Sequence, residues 1–347
     1  MIFIIGIFRK EVQIAMNKLK NFLLKKFKSS SSEENSGGVK VVFVKELADQ
    51  LSSIRCLILF ALIALTGIVS FYSAASNIGA VSEGSGANFI LIRLFATSGT
   101  SLPSFTWFLS LLGPLVGLSM GFDAINAEQN SGTLTRLLAQ PIYRDDVING
   151  KFLARLFILA LMTFALGGFV AGMGIILTGV APEGEEIIRL LIYLLLSVVY
   201  MAFWLALSML FSVVFRQTAT SALSGIALWL FLTIFLPIFA GMVADTLYPI
   251  TDKADALTQL NNIRIAQGIS RLSPSTLYSE AAITILSPSV RTLGPVLMEQ
   301  AYGAIPGFLP LGQSLLLIWP HLTGLIAGTV IIFGITYTLF IRQEIRA

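Results

Sequence analysis

The stretch GFDAINAEQNSGTLTRLLAQPIYRDDVINGK, residues 121–151, is a long polar run held tightly between two strongly apolar ones. Residues 104–120 before it carry no charge, and residues 156–180 after it are again apolar. A helix that crosses a membrane needs about 20 such residues, and the lipid core offers no partners to polar groups. The sequence therefore predicts a water-exposed hairpin that joins two membrane spans.

The composition of the whole chain indicates the same class of protein. Of its 347 residues, 55% are hydrophobic and only 12% are charged, and the mean hydropathy is +0.83. These values lie far from those of soluble domains. One cysteine, Cys56, excludes a disulfide within the chain, and one histidine, His321, excludes a zinc-protease histidine pair. We therefore predict an all-α integral membrane protein.

Local signals inside the hairpin predict a short helix outside the membrane. Gly132 interrupts the helix that leaves the membrane, Thr133 is a suitable N-cap for a new helix, and Pro141 ends it. Three leucines at helical spacing give this helix one apolar face: Leu134, Leu137 and Leu138. That face either lies on the protein's own helix ends or on lipid headgroups, or it contacts a partner protein.

A set of hairpin residues, in order and spacing, resembles the cytoplasmic signature of permease subunits of the type-2 (ABC-2) family of ABC exporters. They are Asp123, Glu128, Gly132, Thr133, Leu134, Leu137, Leu138, Pro141, Arg144, Gly150 and Lys151. Members of that family commonly carry a basic residue where this chain has Gln129. The resemblance extends in layout from residue 40 to the C-terminus.

The resemblance implies that this hairpin is the element that docks on a cytoplasmic ABC ATPase subunit. It assigns Glu128 and Arg144 to the docking surface or its support, while Gly132 and Pro141 shape the turns around the short helix. The chain has no phosphate-binding loop of its own, because the nearest match, at Gly150, lacks the first glycine and the hydroxyl residue. We therefore expect no catalytic residue and no cofactor here, and ATP to be bound by the partner subunit.

The sequence divides into an N-terminal extension and a permease domain. Residues 1–39 combine a basic amphipathic helix, suited to an anionic membrane surface, with a serine-rich linker. Residues 40–347 form the permease domain. Its first part, residues 41–54, is a second amphipathic stretch that resembles the interfacial helix preceding the first span in this family.

Hydropathy predicts six transmembrane helices, at residues 56–76, 104–122, 154–180, 188–215, 218–245 and 313–341. With both termini inside the cell, 17 of the 23 Lys and Arg residues are cytoplasmic, as the positive-inside rule requires. We therefore predict a multi-pass plasma-membrane protein with a cytoplasmic hairpin. Two GxxxG motifs, at Gly168 with Gly172 and at Gly324 with Gly328, serve packing within the chain or a dimer seam.

Two segments on the outer side are expected to hold helices of their own. The first loop is expected to hold a short interfacial helix at residues 89–95. The long segment at residues 247–311 is expected to form a helix at residues 252–271, a second at residues 273–286, and a shorter third after Ser287. This extracytoplasmic segment acts either as an outer gate over the translocation path or as a lid that stabilises the helix ends.

Several other functions compete with the permease interpretation. No Asp, Glu, Lys or Arg lies in the middle of a predicted span, which argues against a secondary carrier coupled to protons or ions. His321 is interpreted as an interfacial or hydrogen-bonded residue, not a proton carrier. An enzyme inside the membrane lacks the residues it needs, since there is no GxSxG motif and no second histidine. An ATPase-independent carrier or channel, and a membrane anchor that transports nothing, remain as alternatives.

The resulting prediction is a six-span permease of an ATP-driven exporter that works by alternating access. In the bilayer, two copies of the chain, or one copy and a related chain, form a pair. Two ATPase subunits bind to this pair. No nucleic acid partner is expected. The apolar spans suit lipid-like or amphipathic cargo.

Overall fold

The apolar stretches of this chain form long helices, since a helix is how a single chain segment satisfies its backbone in lipid. The computed structural model describes residues 38–76, 89–96, 104–138, 140, 142–250, 255–293 and 308–343. The basic N-terminal helix, the serine-rich linker and Pro141 lie outside these residues. Every regular element within them is helical, which confirms the all-α class.

Thirteen helices are present in the described residues, and a π-helical turn at Phe231–Phe235 joins α9 to α10 without a break. The helices are α1 Gly38–Leu51, α2 Ile54–Ser76, α3 Ile90–Ala96, α4 Phe105–Gly121, α5 Asn126–Asn130, α6 Thr133–Leu138, α7 Arg144–Thr178, α8 Gly184–Val214, α9 Thr218–Leu230, α10 Leu236–Leu247, α11 Ala256–Ser270, α12 Pro274–Leu286 and α13 Leu311–Arg342.

Five continuous helical stretches are long and apolar enough to cross a membrane. They are Phe105–Asn130, α7, α8, Thr218–Leu247 and α13. A sixth candidate arises only when α1 and the start of α2 are counted together, and these two helices meet at a 67° bend. The bend separates the amphipathic helix α1 from the apolar helix α2, as the sequence predicted. The structure thus holds five to six spans.

Helix α8 lies at the centre of the bundle. Its most apolar window is 72% buried, whereas the corresponding windows of Thr218–Leu247 and α13 are each only 17% buried. The helices α4, α7, α12 and α13 all pack against α8. The outer spans therefore meet lipid or other chains over most of their surface, while α8 is enclosed by its own chain.

Three glycines on one face of α4 allow its close approach to α8. A side chain at Gly117 would place its Cβ 2.8 Å from the carbonyl oxygen of Met201, and one at Gly121 would place it 2.7 Å from Cβ of Ser208. Gly113 lies one turn earlier on the same face. These small residues allow the backbones of α4 and α8 to come close together. This contact was not predicted from the sequence.

The two GxxxG motifs noted in the sequence differ in their surroundings. In α13, a Cβ at Gly328 would lie 3.0 Å from the ring of Phe203, so this motif packs within the chain. In α7, a Cβ at Gly168 or Gly172 would meet no atom of the described residues within 4 Å. Among these residues the α7 motif therefore has no packing partner within the chain.

The glycine contacts give a test with an internal control. We expect Gly117→Ala to lower the free energy of unfolding by roughly 1–3 kcal/mol, because the added methyl group meets rigid backbone of α8. Gly168→Ala makes the same change in open space, so it should leave stability unchanged or slightly raised. Thermal unfolding in detergent would compare them. An equal loss in both variants would contradict the close approach of α4 and α8.

The segment that follows α10 enters the bundle and does not lie on top of it. The amide of Asn262 donates to the side chain of Asp245 and to the carbonyl of Tyr248, both at 2.8 Å, so α11 runs back along α10. The next helix, α12, begins halfway along the bundle. The hydroxyl of Ser275 in its first turn lies 3.0 Å from that of Thr233, which is near the middle of the Thr218–Leu247 span. Helices α11 and α12 therefore form a re-entrant hairpin.

A cluster of hydroxyl groups holds the deep end of α12. The hydroxyl of Tyr200, halfway along α8, lies 2.9 Å from that of Ser275 and donates to the carbonyl of Ser110. The Tyr278 hydroxyl lies 2.9 Å from that of Ser197, and its ring stacks on Tyr200 at 4.3 Å. These contacts satisfy polar groups that lipid could not.

A buried arginine on α8 fixes the opposite end of α12. Arg189 is fully buried and donates to Glu185 on its own helix, to the carbonyl of Ile285 at 3.1 Å, and to the carbonyl of Leu309 at 2.6 Å. Ile285 lies in the last turn of α12, where carbonyl groups lack helical partners and favour a cation. Arg189 therefore ties the end of α12 to α8 and to the start of α13.

The predicted helices of this segment are mostly present. Helix α11 matches the prediction at 252–271, and α12 begins directly after Ser273, although that serine makes no side-chain capping bond. The third helix is absent from residues 287–293, which are not helical, and residues 294–307 lie outside the described ones. Helix α3 matches the prediction at 89–95, but it packs inside the bundle against α4, α8 and α12.

The re-entrant hairpin brings a carboxylate against the last span. Glu280 on α12 accepts a hydrogen bond from Arg271 at 2.9 Å, and the same oxygen lies 2.6 Å from Nε2 of His321 on α13. His321 is almost fully buried. This confirms the interpretation of His321 as hydrogen-bonded. Its partner Glu280 was not predicted from the sequence, because this residue lies outside every predicted span.

Candidate coupling hairpin

The polar hairpin folds as two short helices joined by a glycine. Helix α5 ends at Asn130, Gly132 takes a left-handed conformation with φ of 69°, and α6 begins at Thr133. Gly132 therefore interrupts the helix as predicted. Thr133 is the first helical residue instead of the N-cap, and its hydroxyl donates to the carbonyl of Glu128 at 3.4 Å.

The apolar face of α6 is directed into the protein. Leu134 has no exposed surface, and Leu137 is partly buried against the same core. The described part of this face therefore lies on the protein's own helices. The side chain of Leu138 and the whole of Pro141 lie outside the described residues.

The surface that the hairpin presents to water is polar. Ser131, Gly132, Thr133 and Gln140 are exposed, and Tyr143 is 78% exposed. We call Ser131, Gly132 and Thr133 the tip. Among the described side chains of the two short helices and their connection, those of the tip are open to another protein, whereas Leu134 is not.

A buried lysine joins the hairpin to the amphipathic helix α1. The ammonium group of Lys151 lies 2.8 Å from a carboxylate oxygen of Glu46 on α1 and 2.7 Å from one of Glu128 on α5. Its side chain is only 1% exposed. Gly150 makes the approach possible, because a Cβ there would lie 2.8 Å from the side chain of Val42. Gly150 therefore allows close packing against α1, and Lys151 forms the ion pairs with Glu46 and Glu128.

Three cations and three anions make up the complete cluster. Arg155 is buried and lies 3.4 Å from the second oxygen of Glu46. Lys45 lies 3.6 Å from Glu46, 3.8 Å from Asp49 and 3.9 Å from Glu128, and is half exposed. The opposite charges balance, which is what allows ionised groups to be buried.

The cluster shifts the titration of Glu46. Burial alone would raise the pKa of this carboxyl, but the positive charges of Lys151, Arg155 and Lys45 and the hydrogen bond from Lys151 outweigh burial, so the pKa is lowered from its ordinary value of 4.5. Glu46 is therefore ionised at neutral pH and stays available as a partner for Lys151.

Removing the buried lysine is expected to destabilise the protein strongly. Lys151→Met leaves Glu46 without its nearest cation and should lower the free energy of unfolding by about 3 kcal/mol or more. Lys45→Met is the matched control, because this lysine is 48% exposed and its pairs are long; we expect a change below about 1 kcal/mol. Thermal unfolding in detergent measures both. Similar losses in the two variants would contradict a central role for Lys151.

The lowered pKa of Glu46 predicts a pH dependence of stability. Because the folded-state pKa is depressed, the contribution of Glu46 is fully present above about pH 4.5 and is lost as the pH falls through the lowered value. The stability difference between wild type and Glu46→Gln should therefore be constant at neutral pH and shrink in acid. Asp49→Asn, with a 65% exposed side chain, is the control. A difference that stays constant in acid would contradict the prediction.

The start of the hairpin is bonded to two further spans. Asp123 forms an ion pair with Arg55 at the beginning of α2. The backbone N–H groups of Ile125 and Asn126 both donate to the hydroxyl of Ser212 near the end of α8, at 2.9 and 3.2 Å. The side-chain amide of Asn130 donates to the carbonyl of Arg216, in the short link from α8 to α9.

The end of the hairpin is bonded to the last span. Arg144 donates to the carbonyls of Ile341 and Gln343, at 3.3 and 2.9 Å, where α13 ends. A cation at this position is favoured by the unpaired carbonyls of a helix C-terminus. Gln129 contacts the Gln343 side chain at 3.1 Å. Both Glu128 and Arg144 therefore anchor the hairpin.

The hairpin thus contacts the adjacent ends of α1, α2, α8 and α13 and the link between α8 and α9, and it is continuous with α4 and α7. Four further members of this site were not predicted from the sequence: Glu46, Arg155, Ser212 and Asn126. Glu46 lies on the polar face of the predicted amphipathic helix, but nothing in that pattern showed which residue it would meet. Within the described ranges, no group of three or more His, Cys, Asp or Glu is placed to hold a metal ion.

The fold and this site define a multi-pass helical membrane protein whose spans converge on one polar hairpin. A family model described as "ABC-2 family transporter protein" matches residues 40–345, and the chain therefore belongs to the ABC-2 family of transporter proteins, the membrane subunits of ABC transporters. This confirms the resemblance seen in the hairpin.

Two curated relatives carry the same printed name, "Probable ABC transporter permease protein NosY". The protein from Pseudomonas aeruginosa is 33% identical over 194 residues, which are 54% of this chain and 64% of the relative. The protein from Stutzerimonas stutzeri is 34% identical over 146 residues, which are 41% of this chain and 46% of the relative. The chain thus matches about half to two thirds of the length of these relatives.

Proposed function

We propose that this chain is the permease subunit of an ATP-driven exporter and that a separate cytoplasmic ATPase docks on the tip of the hairpin. The observation that carries the proposal is the convergence of the span ends on this hairpin. A protein that moves the tip must also move the spans, because buried ion pairs and hydrogen bonds connect them. The curated relatives, which are named as ABC transporter permeases, support the same proposal.

The proposed mechanism is rigid-body coupling. Closure of the ATPase dimer presses on Ser131, Gly132 and Thr133, and the buried leucine face of α6 transmits the force into the bundle. The Lys151 cluster makes α1, α5 and α7 move together, while Arg144 carries the motion to α13. Rocking of these spans against each other opens the path alternately to the two sides.

In this proposal two permease chains and two ATPase subunits form the complete transporter in the plasma membrane, with both termini and the hairpin in the cytoplasm. The positive-inside count supports that orientation. The open face at Gly168 and Gly172 of α7 offers a place where a second chain could approach closely. Hydroxyl contacts at the deep end of α12 and the bond from Arg189 at its other end support a re-entrant hairpin that faces the outer side.

One observation favours the alternative, an ATPase-independent secondary carrier. The pair of Glu280 and His321 is the kind of buried ionisable site that proton-coupled carriers use. Arg271 bonds the same carboxylate oxygen, however, so Glu280 is already held by a fixed cation. The pair is therefore better explained as a link between α12 and α13.

The docking surface can be tested by co-purification. We expect a Walker-motif ATPase from the native host to come with the detergent-purified chain in roughly one-to-one ratio, measured by mass spectrometry. Thr133→Arg should reduce that ratio at least about tenfold without loss of folding, because the side chain is exposed and its replacement buries an unmatched charge in the contact.

Gln217→Arg is the matched control, since this residue is also exposed, lies at the same end of the bundle and gains the same charge. Recovery of the chain alone, even after crosslinking, would refute the ATP-driven mechanism. Normal ATPase recovery with Thr133→Arg would refute the tip as the docking surface.

A further inference from the structure

A groove between α10 and α11 opens on the surface of the bundle, at the end far from the coupling hairpin. Its volume is about 440 Å³, within the range of about 300–1,000 Å³ typical of small-molecule sites. It is lined by Val243, Leu247, Arg264, Ile265, Gly268 and Ile269. All of these residues except Arg264 are apolar or glycine, so an occupant would contact hydrocarbon along most of the groove.

Arg264 places one charge beside the groove, while its hydrocarbon stem forms part of the apolar lining. Its side chain is exposed and forms no ion pair or hydrogen bond with any described residue. Asp245, on the facing helix, accepts a hydrogen bond from Asn262 and forms no ion pair with Arg264. An arginine beside an apolar groove is therefore free to bind an anion with its planar set of donors, and phosphate matches that geometry.

The position of the groove relative to the membrane narrows the choice of occupant. The span Thr218–Leu247 has 30 residues, about 45 Å at 1.5 Å per residue, and so exceeds the hydrocarbon core of about 30 Å. A span of this length that is centred on the core extends beyond it at both ends, and this places its last residue, Leu247, at headgroup level. The bond from Asn262 to the carbonyl of Tyr248 sets the register, so Arg264 lies near Leu247.

The apolar part of the groove is deeper than its charged end. From Arg264, α11 descends by about one turn to Gly268 and Ile269, beside Val243. In this arrangement a cation lies at headgroup level and the open apolar groove continues from it toward the middle of the span. A phospholipid has the same order, with its phosphate above its acyl chains.

We propose that this groove binds a phospholipid, with the phosphate on Arg264 and one acyl chain between α10 and α11. The lipid completes the contact between the span Thr218–Leu247 and α11, the first helix of the re-entrant hairpin. The site is independent of the ATPase assignment, because it rests on a groove at the opposite end of the bundle.

Native mass spectrometry of the detergent-purified chain would test the site. The probes are phosphatidylglycerol and phosphatidylcholine, which both carry the phosphate, and diacylglycerol, which lacks it. We expect both phospholipids to bind one tight site and diacylglycerol to bind at least about tenfold more weakly, since the charge-assisted bonds to Arg264 are lost.

Two variants separate the charge from the groove. Arg264→Gln should weaken phospholipid binding at least about tenfold. Gly268→Phe should remove the tight site by filling the channel, and it should fold normally because a Cβ at Gly268 meets nothing within 4 Å. The matched controls are Arg216→Gln, an exposed arginine at the hairpin end, and Gly241→Phe, an equally open glycine on another face of α10. Both should bind like wild type.

Three results would overturn the proposal. The first is wild-type phospholipid binding in both Arg264→Gln and Gly268→Phe. The second is equal binding of diacylglycerol and phospholipid. The third is dissociation of a dimer by Gly268→Phe with unchanged lipid occupancy, which would mean that a second copy of the chain fills the groove.

Discussion

The ammonium group of Lys151 is the constraint on which the rest of the hairpin depends. A buried cation is tolerated only where anions surround it, and here the two anions come from different parts of the chain, Glu46 on α1 and Glu128 on α5. Once Lys151 is in place, the amphipathic helix, the hairpin and the start of α7 can no longer move separately. The bonds of Asp123, Asn126 and Arg144 then join this unit to the other spans.

The opposite side of the bundle is organised by a second set of buried polar contacts. There α12 enters between α8 and α13, held by hydroxyl groups at its deep end and by Arg189 at the other. Helix α8 contributes to both sets, with Ser212 near the hairpin and Arg189 at the far end. The same buried helix therefore connects the two faces of the protein, which gives a displacement at one face a rigid path to the other.

Sequence reasoning predicted the elements better than their contacts. The helices α2, α4 and α8 followed from apolar runs whose length matches a bilayer, and α1 and α12 followed from amphipathic spacing and a Ser-Pro start. Hydropathy could not show that α12 re-enters the bundle, because a helix with buried serines and tyrosines has a moderate apolar content. In the same way, the sequence left open whether the apolar face with Leu134 lies on the protein's own helices, on lipid headgroups or on a partner protein, and only the packing showed that Leu134 is buried within the chain.

The separation of Glu46 and Lys151 along the chain has a consequence for biosynthesis. The two residues are 105 positions apart, and two hydrophobic helices are made between them. During translation the ion pair between Glu46 and Lys151 cannot form until Lys151 has been synthesised. The hairpin end of the bundle therefore assembles late, and until then the carboxylate of Glu46 on α1 lacks its nearest cation.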